Sequence, residues 1–248
     1  MIINNSKKFI FIKTPKTAGS SIEFYLSQFC GKKDTITSLL DNEEKLKKKL
    51  NLPDSKNTIF EVIKLNINSL KKFKFKKKIL INDHTSLNVL EKKINLNLKK
   101  YYIFAFVRNP FKWIISYFWW YLYHEKIINF YDINNLSKKE INILFKLFVK
   151  THSSYWFNWI RDMITSKKYK VNIFKYENIE RDINKLKKTL SLENERINFS
   201  EIHLKNLKIK KKTKSKLNLD KESLSIIKTA AKYFFDNFSY SKKVPKFF

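Results

Sequence analysis

Residues Phe9 to Ser21 read FIFIKTPKTAGSS. Four apolar residues, Phe9-Ile10-Phe11-Ile12, lead into Lys13, Pro15 and Lys16, the small run Thr17-Ala18-Gly19, and the hydroxyls of Ser20 and Ser21. Ile22, Phe24-Tyr25-Leu26 and Phe29 then recur at helical spacing. The pattern predicts a buried strand, a tight loop and a helix start. A junction of this kind is an anion site, because amides at a helix N-terminus have no intrahelical acceptor and the helix dipole favours negative charge there. Lys16 adds a mobile cation, and Ser20 and Ser21 add donors.

The rest of the 248 residues is enough for one large α/β domain with a substantial core. An apolar content of 43% and an aromatic content of 16% exclude a disordered chain in spite of the charge. Lys and Arg together number 52 against 22 Asp and Glu, a net charge of +30, yet only Arg108, Arg161, Arg181 and Arg196 are arginine. Lysine abounds together with Asn, Ile, Phe and Tyr, the bias that AT-rich codons impose. The charge is therefore weak evidence for a nucleic-acid partner, although its field attracts anions and fades with salt. One cysteine, Cys30, excludes an intrachain disulfide framework and a Cys-based zinc site, and reads as a small core residue. No apolar signal region precedes the loop and no run of about 20 apolar residues exists, so the expectation is a cytoplasmic protein without a membrane span. Of the two glycines, Gly19 serves the loop, by positive φ or close approach, and Gly31 is expected to end the first helix.

Further along, Asp34–Lys78 is a lysine-rich segment with a solvated helix over Asp41–Leu50 and a strand or short helix over Thr58–Leu65. Within it Lys71–Lys78, KKFKFKKK, is a solvated stretch with two anchoring phenylalanines, a stacking surface for nucleic acid, or a basic rim for an anionic sugar. Ile79-Leu80-Ile81 predicts a second buried strand that delivers Asn82-Asp83-His84 to its end. That is where open α/β sheets hold ligands. His84 is either a structural histidine at a helix start or a base suited to a hydroxyl proton near neutral pH. Tyr101–Val107 is the clearest strand, continuous and aromatic, hence central and parallel. It ends in Arg108-Asn109-Pro110 before an aromatic helix, with Asn109 at the N-cap and Pro110 in the first turn. Arg108 can fork onto a phosphate, and Ser116, a little over two turns on, can line the same side. A capping box, Ser137 with Glu140, starts a helix to Lys150. Tyr169–Tyr176 reads as a strand, Lys208–Lys216 as a solvated loop or a basic lid, and Asp220–Phe238 as a last amphipathic helix.

The loop is not a Walker A sequence, since Lys16 precedes Gly19. PKTAGSS directly after a strand resembles the 5′-phosphosulfate loop of sulfotransferases that use 3′-phosphoadenosine 5′-phosphosulfate (PAPS), above all the carbohydrate (heparan/chondroitin-type) branch. VRNPFKWIISYF resembles that family's 3′-phosphate motif, with Arg108 and Ser116 at matching spacing. DHTSL around His84 is similar to the segment that carries the base histidine in some relatives, with Asp83 where a glycine is usual. FKYENIERDI resembles the family's Tyr-Glu-Asn element, in which Glu177 reads as structural. His203-Leu204-Lys205-Asn206 resembles its closing loop, and DNFSY its terminal pattern.

The resemblance implies a P-loop-kinase-like sulfotransferase fold: a single α/β domain, residues 1–248, with a central mostly parallel sheet flanked by helices and a variable insertion at 34–78. It implies PAPS as co-substrate without a metal, a carbohydrate or glycolipid hydroxyl as acceptor, and no nucleic-acid partner. Lys16 and the loop Thr17, Ala18, Gly19, Ser20 and Ser21 are then expected to hold the 5′-phosphosulfate. Arg108 and Ser116 are expected on the 3′-phosphate, and His84 as the base. Lys13 stands where many relatives have histidine, and its role stays open. His152 and its aromatic neighbours read as core packing or as part of a substrate pocket. The alternatives are a nucleotide-kinase-like phosphoryl transferase, which needs a Mg²⁺-holding acidic residue at a strand end, and a basic nucleic-acid-binding protein.

Overall fold

Phe9 to Ile12 have no solvent exposure at all, and the sheet explains why. In a computed structural model, which describes residues 1–64, 75–93, 96–124, 130–202, 204 and 209–245, the chain begins with β1 (Ile2–Asn4), β2 (Phe9–Ile12), α1 (Gly19–Ser27), β3 (Thr35–Ile36) and α2 (Asp41–Lys49). It continues through β4 (Ile59–Lys64), β5 (Phe75–Leu80), α3 (Leu87–Lys93), β6 (Tyr102–Val107) and α4 (Pro110–His124). Then come α5 (Phe130–Asn135), α6 (Lys138–Ile164), β7 (Asn172–Lys175), α7 (Ile179–Thr189), α8 (Lys211–Lys214), α9 (Lys221–Ala230) and α10 (Lys232–Asn237). The order in the main sheet is β3-β1-β2-β6-β7. Strand β2 lies in its middle, parallel to β6 with Ile12 opposite Ala105, and antiparallel to β1. A strand covered on both faces needs a continuous apolar run rather than an alternating one. The expected α/β fold with a central sheet flanked by helices is what forms, the sheet being mixed because β1 and β3 add an antiparallel edge.

The chain divides into two compact units. The first comprises residues 1–106, 162–174 and 178–204. Its core joins Phe9 and Phe11 to Phe104, with ring centroids 6.0 and 5.4 Å apart, and Phe106 to Phe174 at 5.5 Å. Ile22, Phe24, Leu26, Ile183 and Leu186 cover it from α1 and α7. Burying each such ring is worth about 1.5–3 kcal/mol, so the sheet centre is the stable frame of this unit. Cys30 is buried in the same core, where burial pushes its thiol up to about 12.

The second unit comprises residues 107–161, 175–177 and 205–248. Helix α4 buries Phe111, Trp113, Ile114, Tyr117 and Phe118. Phe118 meets Phe145 of α6 edge-on at 5.1 Å, Trp113 meets Phe157, and Phe157 meets Phe234 of α10.

Several expectations are corrected. Ile79–Ile81 does not enter the main sheet: β5 pairs antiparallel with β4 in a separate two-stranded sheet. Leu80 is accordingly 64% exposed, while Ile81, on the opposite face, is buried. Successive strand residues point to opposite faces, so three apolar residues in a row do not show whether both faces are covered. Within the stretch expected as a strand or short helix, Ile59–Lys64 forms β4, whereas Leu65 and Lys71–Lys74 of the basic run lie outside the described residues. Helix α1 ends at Ser27, well before Gly31, whose N–H instead donates to Asp34 Oδ2. The helix from Lys138 does not stop at Lys150 but runs for 27 residues. The basic stretch after Lys208 is not loop or lid throughout: Lys211–Lys214 forms α8, and the Lys210 N–H and the Thr213 hydroxyl donate to Asn134 Oδ1. The last helix breaks at Ala231 into α9, capped by Asp220, and α10. The strand expected over Tyr169–Tyr176 shortens to β7.

Candidate active site

Strand β2 ends at Ile12 and α1 starts at Gly19. The six residues between them turn back sharply, and they do so with left-handed backbone at Lys16 (φ 61°) and Ala18 (φ 59°). Neither residue is glycine, so each conformation costs on the order of 1–2 kcal/mol. Left-handed residues alternating with ordinary ones turn successive amides toward one side, the arrangement that receives an anion. The loop is fastened from within. The Thr17 hydroxyl donates to Thr14 O at 2.9 Å, and the Thr14 hydroxyl donates to Phe106 O of β6. Ser20 and Ser21 follow, buried in the first turn of α1. Gly19 is needed for space and not for φ: a Cβ there would lie 2.6 Å from Lys13 Cγ and 3.3 Å from Thr14 O. Gly19→Ala is therefore expected to destabilise the fold by about 1–3 kcal/mol, since the pinned Lys13 stem must shift. A urea midpoint unchanged from the parent protein would refute that packing argument.

Lys13 is buried just ahead of the loop. Its ammonium lies 2.9 Å from Glu23 Oε2 and 3.3 Å from Asp83 Oδ2. Glu23 is wholly buried on α1, and its other oxygen lies 2.9 Å from the Met1 nitrogen and accepts the Thr37 hydroxyl at 2.5 Å. Burial acts against the charge of both partners. Glu23 and Asp83 nonetheless hold the Lys13 ammonium above its ordinary value, and the Met1 nitrogen and Lys13 hold the Glu23 carboxyl below its own. His84 joins the cluster at two points: Nδ1 lies 2.8 Å from Lys13 O, and Nε2 lies 3.4 Å from Asp83 Oδ2. A carbonyl oxygen can only accept, so Nδ1 is the donor and, in the neutral ring, Nε2 carries the lone pair. Burial lowers the imidazole below 6.5, with Asp83 working in the opposite direction. At neutral pH the His84 ring is therefore neutral, with its lone pair on Nε2.

In the second unit, Arg108 follows β6 and stacks its guanidinium 4.4 Å from the centre of the Tyr176 ring. Asn109 caps α4, its Oδ1 accepting from the Phe111 and Lys112 amides at 3.1 and 3.2 Å. Glu177 then ties three segments together. Its Oε1 accepts the Asn109 N–H at 2.8 Å, and its Oε2 accepts the Tyr240 hydroxyl at 3.0 Å. Ser116 sits half-buried on α4. A planar cation held against an aromatic face, beside a helix N-terminus, suits a phosphate.

The family model described as the Sulfotransferase family matches residues 1–241. The chain belongs to the sulfotransferase family. No curated protein and no solved structure matches it. Its chemistry is thus sulfuryl transfer.

Residue by residue, the first unit of this sulfotransferase brings Lys16, Thr17, Ala18, Gly19, Ser20 and Ser21 onto one loop, and hangs His84 on Lys13, three positions before Lys16. The second unit holds Arg108 and Ser116 on one helix and its lead-in. His152, half-exposed, packs flat on Phe148 at 5.1 Å and against Tyr121 on α4. His203, Lys205 and Asn206 lie outside the described residues. Among the described residues no cluster of three His, Cys, Asp or Glu side chains could hold a metal, and no helix is long and apolar enough to cross a membrane. Sequence reasoning missed Glu23 and Asp83 beside Lys13 and His84 in the first unit, and Tyr176 and Tyr240 beside Arg108 and Glu177 in the second. Glu23 carried a signal: an acid inside SSIEFYLS, a helix that buries every residue, demands a buried cation.

Proposed function

We propose that this sulfotransferase moves the sulfuryl group of PAPS to a hydroxyl of a carbohydrate or glycoconjugate, with His84 as general base. The observation that carries the reading is the bond from His84 Nδ1 to Lys13 O, which leaves Nε2 basic on the strap that leads into the Lys16 loop. The residues fit the donor: a backbone-lined loop with Lys16 for the 5′-phosphosulfate, and the stacked Arg108 with Ser116 for the 3′-phosphate. In the reaction, Nε2 takes the proton of the acceptor hydroxyl, and the oxygen electron pair forms the new S–O bond. The bond from sulfur to the bridging oxygen breaks, and its electron pair leaves on the 5′-phosphate, giving 3′-phosphoadenosine 5′-phosphate. Lys16 offsets the charge that gathers on that oxygen. The carbohydrate acceptor is supported by rings on α4 and α6 that reach solvent: Trp120, Trp156 and Trp159 are half-buried, and Tyr155 is 65% exposed. Such flat apolar faces with polar edges suit sugar rings.

Calorimetry with 3′-phosphoadenosine 5′-phosphate, AMP and ATP tests the donor assignment. Binding is expected to need the 3′-phosphate and to weaken by about 2 kcal/mol or more in Arg108→Ala, the loss of a charge-assisted pair. Equal binding of AMP, or none of the three, would overturn the PAPS reading.

A further inference from the structure

Asp83 has three features that a surface carboxylate lacks. Its Oδ2 lies 3.4 Å from His84 Nε2, the nitrogen that carries the lone pair. The same oxygen lies 3.3 Å from the buried Lys13 ammonium, which Glu23 fixes from the other side. And the Asp83-His84 backbone is set in a turn of its own, with His84 N–H donating to Asn82 Oδ1 and Asn82 N–H donating to the Thr85 hydroxyl. The row Glu23–Lys13–Asp83–His84 therefore alternates in charge and ends on the imidazole.

We propose that Asp83 is a positioning residue for His84: its Oδ2, anchored by Lys13, lies beside the Nε2 that takes up the acceptor proton, and its negative charge stabilises the imidazolium where it forms. The inference rests on His84 being the base. It assigns Lys13 as well: the ammonium is spent on two carboxylates, so it sets the position and charge of Asp83 and does not serve the donor. The charged or titratable groups facing His84 are Asp83 beside it, Lys13 from the end of β2, and, beyond Lys13, Glu23 of α1 and the Met1 nitrogen. Burial, and to a smaller extent the Lys13 ammonium, disfavour the imidazolium, while Asp83 favours it. Removing Asp83 thus leaves burial and Lys13 to lower the ring further.

The test is a histidine-selective NMR titration of the full chain, as the parent protein and as Asp83→Asn, together with the pH dependence of kcat. Asp83→Asn is nearly isosteric and its site is 37% exposed, so the fold tolerates it. The titration midpoint of His84 is expected to fall by roughly one pH unit, the size of effect an opposite charge at 4–6 Å exerts. The acid limb of kcat is expected to move down equally, kcat at neutral pH to drop about tenfold, and nucleotide affinity to stay constant. Asp83→Glu restores the midpoint in part. An unchanged midpoint in Asp83→Asn overturns the inference, and so does a drop in kcat with an unmoved acid limb. The midpoint is read on the free protein, so it judges Asp83 even where nucleotide binding fails and the PAPS reading with it.

Discussion

Replacing Glu23 by alanine is expected to cost the fold about 3–5 kcal/mol, the usual loss when one partner of a buried ion pair is deleted. The carboxylate has no solvent exposure and serves three donors at once: the Lys13 ammonium, the Met1 nitrogen and the Thr37 hydroxyl. Without it, those buried groups lose their shared carboxylate, and among the described residues Asp83 remains beside Lys13. Urea unfolding gives the quantity directly. In a chain of this size the loss corresponds to a melting temperature lower by roughly 6–20 °C. Lys232→Ala is the control, because its pair with Asp236 is solvent-exposed and water takes over both charges. If Glu23→Ala unfolded at the same urea concentration as Lys232→Ala, the buried row of charges would not be what holds α1 to β2.

The second large effect concerns turnover. His84→Ala is expected to lower kcat by about 10²–10⁴ while leaving the affinity for 3′-phosphoadenosine 5′-phosphate unchanged, the signature of an interaction that matters only in the transition state. The pH profile sharpens the test. Burial pulls His84 below 6.5, so in the parent protein kcat is expected to rise through a midpoint under 6.5 and to be flat by neutral pH. In the variant that limb disappears. A parallel loss of nucleotide affinity would make His84 a structural support of the loop through Lys13 O and not a base.

The strand-loop-helix unit was legible because its physics is local: a continuous apolar run, small residues and a helical period follow one another within 20 residues. Arg108, Asn109 and Pro110 were legible for the same reason, as a strand end and a helix cap. What escaped depends on distant partners. The full length of α6 was hidden because Thr151-His152-Ser153-Ser154 looks like a break. In the structure the Thr151 and Ser153 hydroxyls donate back to Leu147 O and Val149 O, so the polar residues are absorbed into the helix. The β4–β5 hairpin escaped because three apolar residues do not reveal which face is covered. The charge row escaped because Lys13, Glu23 and Asp83 meet only after β2, α1 and the end of β5 converge.

The burial of Lys13 bears on how this sequence can change over time. A chain so rich in lysine acquires most of those residues at positions where water solvates any polar side chain, and codon bias can add or remove them there at no cost to the fold. Position 13 is closed to such drift. A neutral residue there takes one buried partner from Glu23, and a neutral residue at 23 takes from Lys13 the nearer of its two carboxylates, so the effects of the two changes depend on each other. Substitutions at 13 and 23 are therefore coupled, and the end of β2 that carries the loop ties the history of one position to that of the other.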